Sequence, residues 1–170
     1  MTRRSPVVLS GVLAALLVLA ADQASKWWIL HGLHLPQVGQ VVLLPVLNFT
    51  MVWNQGVTFG LLTGTGTAAH LGLAIFALVV VAVLGLWLMR TTRLAIALPL
   101  GAIAGGAVGN VLDRLRYGAV VDFIQAHALG YSWYVFNLAD AAIVCGVAAL
   151  VIDNLLPGGR EALPGARNRG

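Results

Sequence analysis

Four long apolar runs dominate this sequence and constrain its fold more than any other feature. They cover residues 7–28, 68–89, 94–112 and 135–156. Each run is close to the ~20 residues that an α-helix needs to cross the hydrocarbon core of a bilayer. Only 9% of the residues are charged, whereas an ordinary soluble domain has about a quarter. We therefore predict an all-α membrane protein with four transmembrane helices.

The basic residues predict the orientation of these helices. Arginines precede the first run, connect the second run to the third and follow the fourth: Arg3, Arg4, Arg90, Arg93, Arg160, Arg167 and Arg169. The positive-inside rule assigns such segments to the cytoplasm. Both termini are then cytoplasmic, while an outer segment (29–67) and an outer loop (113–134) face the other side. Because the net charge of +4 is scattered along the chain, we expect no nucleic-acid partner.

The sequence predicts one domain and a tail. Residues 1–156 are expected to form a single four-helix domain, and residues 157–170, rich in Gly, Pro and Arg, a flexible cytoplasmic tail. An alternative for the first run is a cleavable secretory signal peptide, because two arginines precede it. The polar cluster that follows this run and the charge pattern of the four runs favour a transmembrane helix.

The outer segment is too long for a tight helix connection. Residues 41–52 are rich in β-branched and aromatic side chains, which are typical of strands. We expect short strands that lie on the membrane, followed by a glycine-rich loop at residues 60–66. The all-α fold is therefore predicted to carry a small strand-containing extracytoplasmic segment.

A repeat of small residues in the third run predicts close helix packing. Gly101, Gly105 and Gly109 recur at every fourth position. Glycines at this spacing form a groove in which the backbone of a second helix can approach closely. The packing of the third helix is expected to depend on this face.

Acidic residues are rare in this chain, and most of them occur at unusual places. Four of the six lie in or beside apolar runs: Asp22, Asp113, Asp122 and Asp140. An ionised carboxylate in the bilayer costs roughly 2.5 to 3.5 kcal/mol or more. In the predicted orientation all four lie near the outer boundary of the membrane. They therefore converge at one depth, although their spacing in the sequence does not show that Asp122 and Asp140 meet.

Two of these acids have candidate structural partners. Asp22 stands four residues before Lys26, and we expect Asp113 to pair with a nearby arginine. Asn110 shares a helix face with Asp113 and Arg114, as Asn137 does with Asp140. Asp122 and Asp140 have no such local partner, so their carboxylates are better explained by function than by charge pairing.

Two neighbouring carboxylates have a known chemistry. Both cannot ionise cheaply at once, so they share one proton, as in aspartic proteases. The ionised member takes a proton from water while the protonated member binds the peptide carbonyl oxygen, and no metal or organic cofactor is required. The sequence contains no His-Glu-x-x-His zinc motif. The neighbouring Ser25 and Lys26 point in different directions on a helix, which disfavours a Ser-Lys pair.

Two other classes remain open at this point. Acidic residues inside a membrane also build proton relays, so an ion-coupled transporter is one alternative. It would require polar groups through the full depth of the bilayer. A structural membrane subunit, in which the acids only pair helices, is the other.

Five blocks in order resemble the lipoprotein signal peptidases, also called signal peptidase II, from residue 7 to about residue 156. The blocks are Asp22-Gln23-Ala24-Ser25-Lys26, Asn54-Gln55-Gly56-Val57-Thr58-Phe59-Gly60, Gly106-Ala107-Val108-Gly109-Asn110-Val111-Leu112-Asp113-Arg114, Val120-Val121-Asp122-Phe123-Ile124 and Phe136-Asn137-Leu138-Ala139-Asp140. Any one block is weak evidence, but the ordered set is specific. The one visible departure is Val57-Thr58, where the family more often has small residues.

The resemblance implies a bacterial plasma-membrane aspartic endopeptidase. Its catalytic residues would be Asp122 and Asp140. Eight further residues would support the site or contact substrate: Asp22, Lys26, Asn54, Gly56, Asn110, Asp113, Arg114 and Asn137. The family removes the signal peptide from prolipoproteins that carry a diacylglyceryl group on the cysteine that becomes the new N-terminus. The implied partners are these substrates and membrane lipids, and we expect a monomer.

Overall fold

Four helices of the computed structural model are long and apolar enough to cross a membrane, as predicted. The model describes residues 4–56, 67–128 and 130–156. In chain order, its helices are α1 (Arg4–Trp27), the short α2 (Leu35–Val38), α3 (Thr67–Leu88), α4 (Leu94–Tyr117) and α5 (Leu138–Leu155). The predicted tail, the glycine-rich loop and Val57-Thr58 lie outside the described residues.

The end of α4 differs from the prediction. This helix continues to Tyr117, whereas the apolar run ends near residue 112, so the outer loop does not begin at residue 113. Hydropathy places the charged Asp113 outside the membrane helix, but the structure buries its carboxylate beside a cation and keeps the helix intact. Gly118 then ends the helix with a φ of 68°, a left-handed conformation that glycine adopts without strain.

Segments that connect the long helices form a four-stranded antiparallel sheet in the order β1-β2-β3-β4. A π-helical turn at Trp28–Gly32 follows α1, and the strands are β1 (Gln40–Leu44), β2 (Leu47–Asn54), β3 (Val120–Ala128) and β4 (Tyr131–Ser132). The strands β1 and β2 confirm the predicted short strands in residues 41–52. The predicted outer loop turns out to supply β3 and β4. That the sheet lies on the membrane remains a prediction.

The helix α4 is the centre of the bundle. Half of its most apolar window is buried, against 11% for each of the other three long helices. A Cβ atom at Gly101 or Gly105 would collide with the backbone of α1, at Gly11 and Ala15 respectively. The predicted glycine face therefore does allow close approach of a second helix.

The opposite ends of the bundle have different chemistry. At one end, Arg93 before α4 pairs with Asp153 of α5 at 2.7 Å, and both groups are partly exposed. The C-terminal ends of α1 and α4 meet the N-terminal end of α5 at the other end, where the buried acids lie. Along the sides the helices expose large apolar residues such as Leu17 and Phe76, as expected of surfaces that face lipid.

Candidate active site

Asp122 lies on the strand β3, at its pairing with β2. Its neighbours Val120, Val121 and Phe123 are buried apolar residues typical of a strand. The Asp122 side chain is 1% exposed, and each of its oxygens accepts a hydrogen bond. Asn137 Nδ2 donates to Oδ1 at 2.7 Å, and Asn54 Nδ2 donates to Oδ2 at 2.9 Å.

The orientation of the Asn54 amide is held from its own strand end. The backbone N–H of Gly56 donates to Asn54 Oδ1 at 3.2 Å. This bond leaves the Nδ2 group to face Asp122. Gly56 thus supports Asp122 through its main chain and one intervening side chain.

Asp140 lies at the first turn of α5 and forms a capping box with Asn137. The Asn137 side chain accepts from the Asp140 backbone N–H at 2.9 Å, and Asp140 Oδ2 accepts from the Asn137 backbone N–H at 3.2 Å. Such reciprocal bonds satisfy N–H groups that the start of a helix leaves unpaired. The prediction that Asn137 shares a helix face with Asp140 is therefore wrong, because Asn137 has an extended backbone and caps the helix that begins at Leu138. The cap fixes the Asp140 carboxylate while leaving it partly exposed.

Asn137 connects the two carboxylates. It is fully buried, its side-chain amide donates to Asp122, and its main chain donates to Asp140. Asn110 of α4 adds a second donor to Asp140, with Nδ2 at 2.8 Å from Oδ1. The structure thus joins two acids 18 positions apart through a single asparagine.

A buried cation lies behind this pair. Lys26 Nζ contacts Asp22 Oδ2 at 2.8 Å and Asp113 Oδ2 at 2.7 Å, and the three side chains are 3% exposed or less. The predicted Asp22–Lys26 pair is confirmed. The prediction that Asp113 pairs with an arginine is wrong, because its carboxylate pairs with Lys26 of α1 instead. Asp22 Oδ1 also accepts from the Ala139 backbone N–H of α5 at 3.0 Å.

Arg114 hydrogen-bonds its own helix. Its Nη1 donates to the main-chain oxygen of Asn110 on its own helix, at 3.2 Å. The Nε group is buried and has no hydrogen-bond partner among the residues that the structure describes. The positive charge interacts electrostatically with Asp140, Asp122 and Asp113. Arg114 therefore adds positive charge to an acidic cluster without closing an ion pair with Asp113.

Sequence reasoning did not assign a role to Gln23, which the structure places between two acids. Its Nε2 contacts Asp22 Oδ2 at 3.2 Å and Asp113 Oδ1 at 3.1 Å, and its Oε1 accepts from Arg116. The available signal was its position inside the block from Asp22 to Lys26. Glutamine has both a donor and an acceptor, so it can join the two charged networks.

Burial shifts the ionisation of Asp122. Desolvation raises the pKa of this carboxyl from 3.8 to about 6, and the nearby Asp140 charge adds to the increase. The hydrogen bonds from Asn54 and Asn137 act in the opposite direction, because they stabilise the ionised form. A carboxyl with this pKa can exchange a proton near neutral pH. In residues 4–56, 67–128 and 130–156, no three His, Cys, Asp or Glu side chains are grouped as metal ligands.

Comparisons with known proteins agree over most of the chain. The family described as signal peptidase (SPase) II matches residues 14–156. A lipoprotein signal peptidase of Rhodopseudomonas palustris is 45% identical over 150 residues, which cover 86% of this chain and 92% of the relative. One of Methylorubrum extorquens is 46% identical over 151 residues, or 89% and 88% of the two chains. A solved bacterial membrane enzyme is similar with a TM-score of 0.74 and 27% identity, over 90% of this chain and 94% of the other.

The fold and the site together define a multi-pass membrane protein with a carboxylate cluster at one end of its helix bundle. The chain belongs to the signal peptidase II family, and it is accordingly a bacterial membrane protease. Family membership selects this class over the transporter and the structural subunit.

Proposed function

We propose that this protein is an intramembrane aspartic endopeptidase that removes the signal peptide from diacylglyceryl-modified prolipoproteins. It cuts before the lipidated cysteine, and Asp122 and Asp140 are its catalytic residues. The observation that carries the proposal is that Asn137 hydrogen-bonds both carboxylates, one through its side chain and one through its main chain. The names of the relatives support the choice of substrate.

The burial of the two carboxylates supports a shared-proton mechanism. Asp122 is 1% exposed, while Asp140 is partly exposed at the start of α5. The ionised member takes a proton from water as the water oxygen attacks the scissile carbonyl carbon. The protonated member donates a hydrogen bond to the carbonyl oxygen as it becomes negative. The tetrahedral intermediate then collapses, the C–N bond breaks, and the leaving amine receives a proton from the pair.

The other polar residues have supporting roles in this proposal. Asn54, Asn110 and Asn137 hold the two carboxylates, and Asp22, Lys26 and Asp113 join α1 to α4 behind them. Gly56 orients Asn54. Arg114 places its positive charge near Asp140, Asp122 and Asp113. Because the carboxylate pair and all these partners come from one chain, a monomer is sufficient.

The position of the site suits a lipid-bearing substrate. With both termini in the cytoplasm, the carboxylates lie at the extracytoplasmic face, where the sheet follows the helix ends. A diacylated cysteine lies in the outer leaflet at this depth. Its peptide bond can then reach the carboxylates without drawing the acyl chains into water. Residues 1–156 provide every group that this chemistry requires.

The test is cleavage by the purified protein. Diacylated precursor should be cut and unmodified precursor should not. Asp122→Asn and Asp140→Asn should each lower turnover roughly 10³-fold or more, because neither variant can share a proton. Asp153→Asn, the same change at the opposite end of the bundle, is the matched control and should retain activity. Near-normal cleavage by either dyad variant would overturn the proposal.

A further inference from the structure

The ammonium group of Lys26 is fully surrounded by acceptors. It contacts Asp22 Oδ2 at 2.8 Å, Asp113 Oδ2 at 2.7 Å and Asn110 Oδ1 at 3.2 Å. An ammonium has three donors and no acceptor, so these contacts use all of its hydrogens. Two of the partners are carboxylates, which more than neutralise its charge, but the third is a neutral amide. Charge pairing therefore does not explain the contact with Asn110.

This contact decides which way the Asn110 amide faces. The two ends of an asparagine amide have nearly the same shape, and only their hydrogen-bond partners distinguish them. An ammonium can only donate, so the end that faces Lys26 must be the oxygen. The Nδ2 group is then directed at Asp140 Oδ1, at 2.8 Å.

The second amide of the site agrees with this orientation. Asn137 Nδ2 donates to Asn110 Oδ1 at 3.1 Å, and its own oxygen is occupied by the helix cap. Asn110 Oδ1 thus accepts from two donors, and the strongly charged one is Lys26. Without that ammonium, only the neutral Asn137 amide would oppose a 180° turn of the Asn110 amide, which would present its oxygen to Asp140. That arrangement is favourable only when Asp140 carries a proton.

We propose that Lys26 is a positioning residue that fixes the amide of Asn110, so that Asp140 always faces an N–H donor. The proposal rests on the proposed function insofar as it assigns Asp140 to the catalytic pair. Lys26 does not touch the reacting atoms. It acts on Asp140 through one intervening side chain.

Several other charges face the same pair, and the test must separate them from Lys26. Asp22 lies beside Lys26 on α1, Asp113 and Arg114 approach from α4, and Asp122 approaches from β3. A direct effect of the Lys26 charge on the pair would be independent of Asn110. An effect of Lys26 that acts through the Asn110 amide disappears once this amide is removed by substitution.

The first test is a pH profile of kcat/KM for the full chain with diacylated precursor. Lys26→Met should move the acidic limb about one pH unit upward, as loss of one hydrogen bond to a charged group does. Lys26→Gln, which keeps a donor without the charge, should leave the limb near its original position. Asn110→Leu should move the limb as Lys26→Met does, and the double variant should show no further movement.

An additive shift in the double variant would overturn the proposal, as would an equal shift in Lys26→Gln and Lys26→Met. Because Lys26→Met leaves two buried carboxylates without their cation, the series is repeated in an Asp113→Asn background, which returns the net charge of the cluster to its wild-type value.

The second test uses infrared difference spectra between pH 4 and 8 and requires no turnover. The carboxyl band that is absent from the spectra of Asp140→Asn is assigned to Asp140. If precursor cleavage fails, this band still tests the position of the amide. If Lys26→Met leaves the protonation of Asp140 unchanged, the proposal about Lys26 is rejected, while the proposed function is unaffected.

Discussion

The side-chain amide of Asn54 donates a hydrogen bond to Asp122 Oδ2 across 2.9 Å, although 68 positions separate the two residues. The bond joins the end of β2 to a position near the start of β3. It opposes the effect of burial, which raises the pKa of Asp122 to about 6. Asn54 therefore tunes the proton affinity of the carboxylate in addition to covering it.

Replacing Asn54 with alanine should move the pH profile. Without this donor the ionised form of Asp122 is less stable, so its pKa rises further above the value of about 6. Because Asp122 is then the protonated member of the pair, the alkaline limb of kcat/KM should move to higher pH by up to about one unit. The measurement is cleavage of diacylated precursor between pH 4 and 8.

Gln125→Ala is the control for this prediction. Gln125 lies on the same strand and bonds Thr50 and Gln40, not Asp122. This variant should keep the limb in place. A profile of Asn54→Ala that coincides with that of the wild type would show that the hydrogen bond has no effect on the titration.

Ionisation of Asp122 should also affect stability. Its pKa is about 6 in the folded protein against 3.8 as the reference, so the folded state holds the proton more tightly between these values. The stabilisation is complete below pH 3.8 and is lost as pH rises through 6, by roughly 3 kcal/mol in total. Asp122→Asn cannot titrate. The difference in free energy of unfolding between wild type and variant should therefore change between pH 4 and 7, and a constant difference would contradict this.

Local patterns predicted the parts of the fold that depend on local physics. The four spans follow from run length, and the glycine face of α4 follows from a spacing of four residues. The Asp22–Lys26 pair lies on one helix. None of these requires knowledge of how distant segments meet.

Long-range partners were the parts that the sequence did not reveal. Asp122 was expected in the outer loop, because it lies between the third and fourth apolar runs. Its place on β3 depends on pairing with β2, which is far away in sequence. The pairing of Lys26 with Asp113 likewise depends on how closely α1 approaches α4 at Gly109, where a Cβ would meet Asp22 Oδ2 at 2.5 Å.

The approach of α1 to α4 gives a packing prediction. In Gly105→Ala, the added methyl group would collide with the backbone of Ala15, so the helices must separate. We expect a loss of about 1 to 3 kcal/mol in detergent, together with lower activity as Lys26 moves away from Asn110. Gly85→Ala is the matched control, because a Cβ there meets no atom within 4 Å. Equal melting temperatures for the two variants would argue against tight packing at Gly105.

The partner of Asp113 gives a prediction about folding. Asp113 contacts Lys26 and also accepts the backbone N–H of Val121 at 3.1 Å, one residue before Asp122. Asp113→Ala should cost about 3 kcal/mol or more and lower the folded yield, because it leaves a buried charge with one partner fewer. Arg114→Ala should cost less, since Arg114 forms no ion pair with Asp113 and bonds its own helix. Thermal unfolding of both variants measures this order, and the reverse order would refute it.

The two roles of Asn137 can be separated by a pair of substitutions. Serine at this position keeps an oxygen that accepts the Asp140 backbone N–H and so preserves the cap of α5. It lacks the amide donor that reaches Asp122 and Asn110. Asn137→Ser should therefore retain most of the helix stability while activity falls roughly tenfold to a hundredfold, as loss of a hydrogen bond to a charged group predicts.

Alanine at the same position removes both the cap and the donor. Asn137→Ala should have activity as low as that of the serine variant but unfold with about 1 kcal/mol less stability. Thermal unfolding and kcat/KM on the two purified proteins distinguish the roles. If serine restored activity as well as stability, the amide bond to Asp122 would be dispensable, and Asn137 would serve only to begin the helix that carries Asp140.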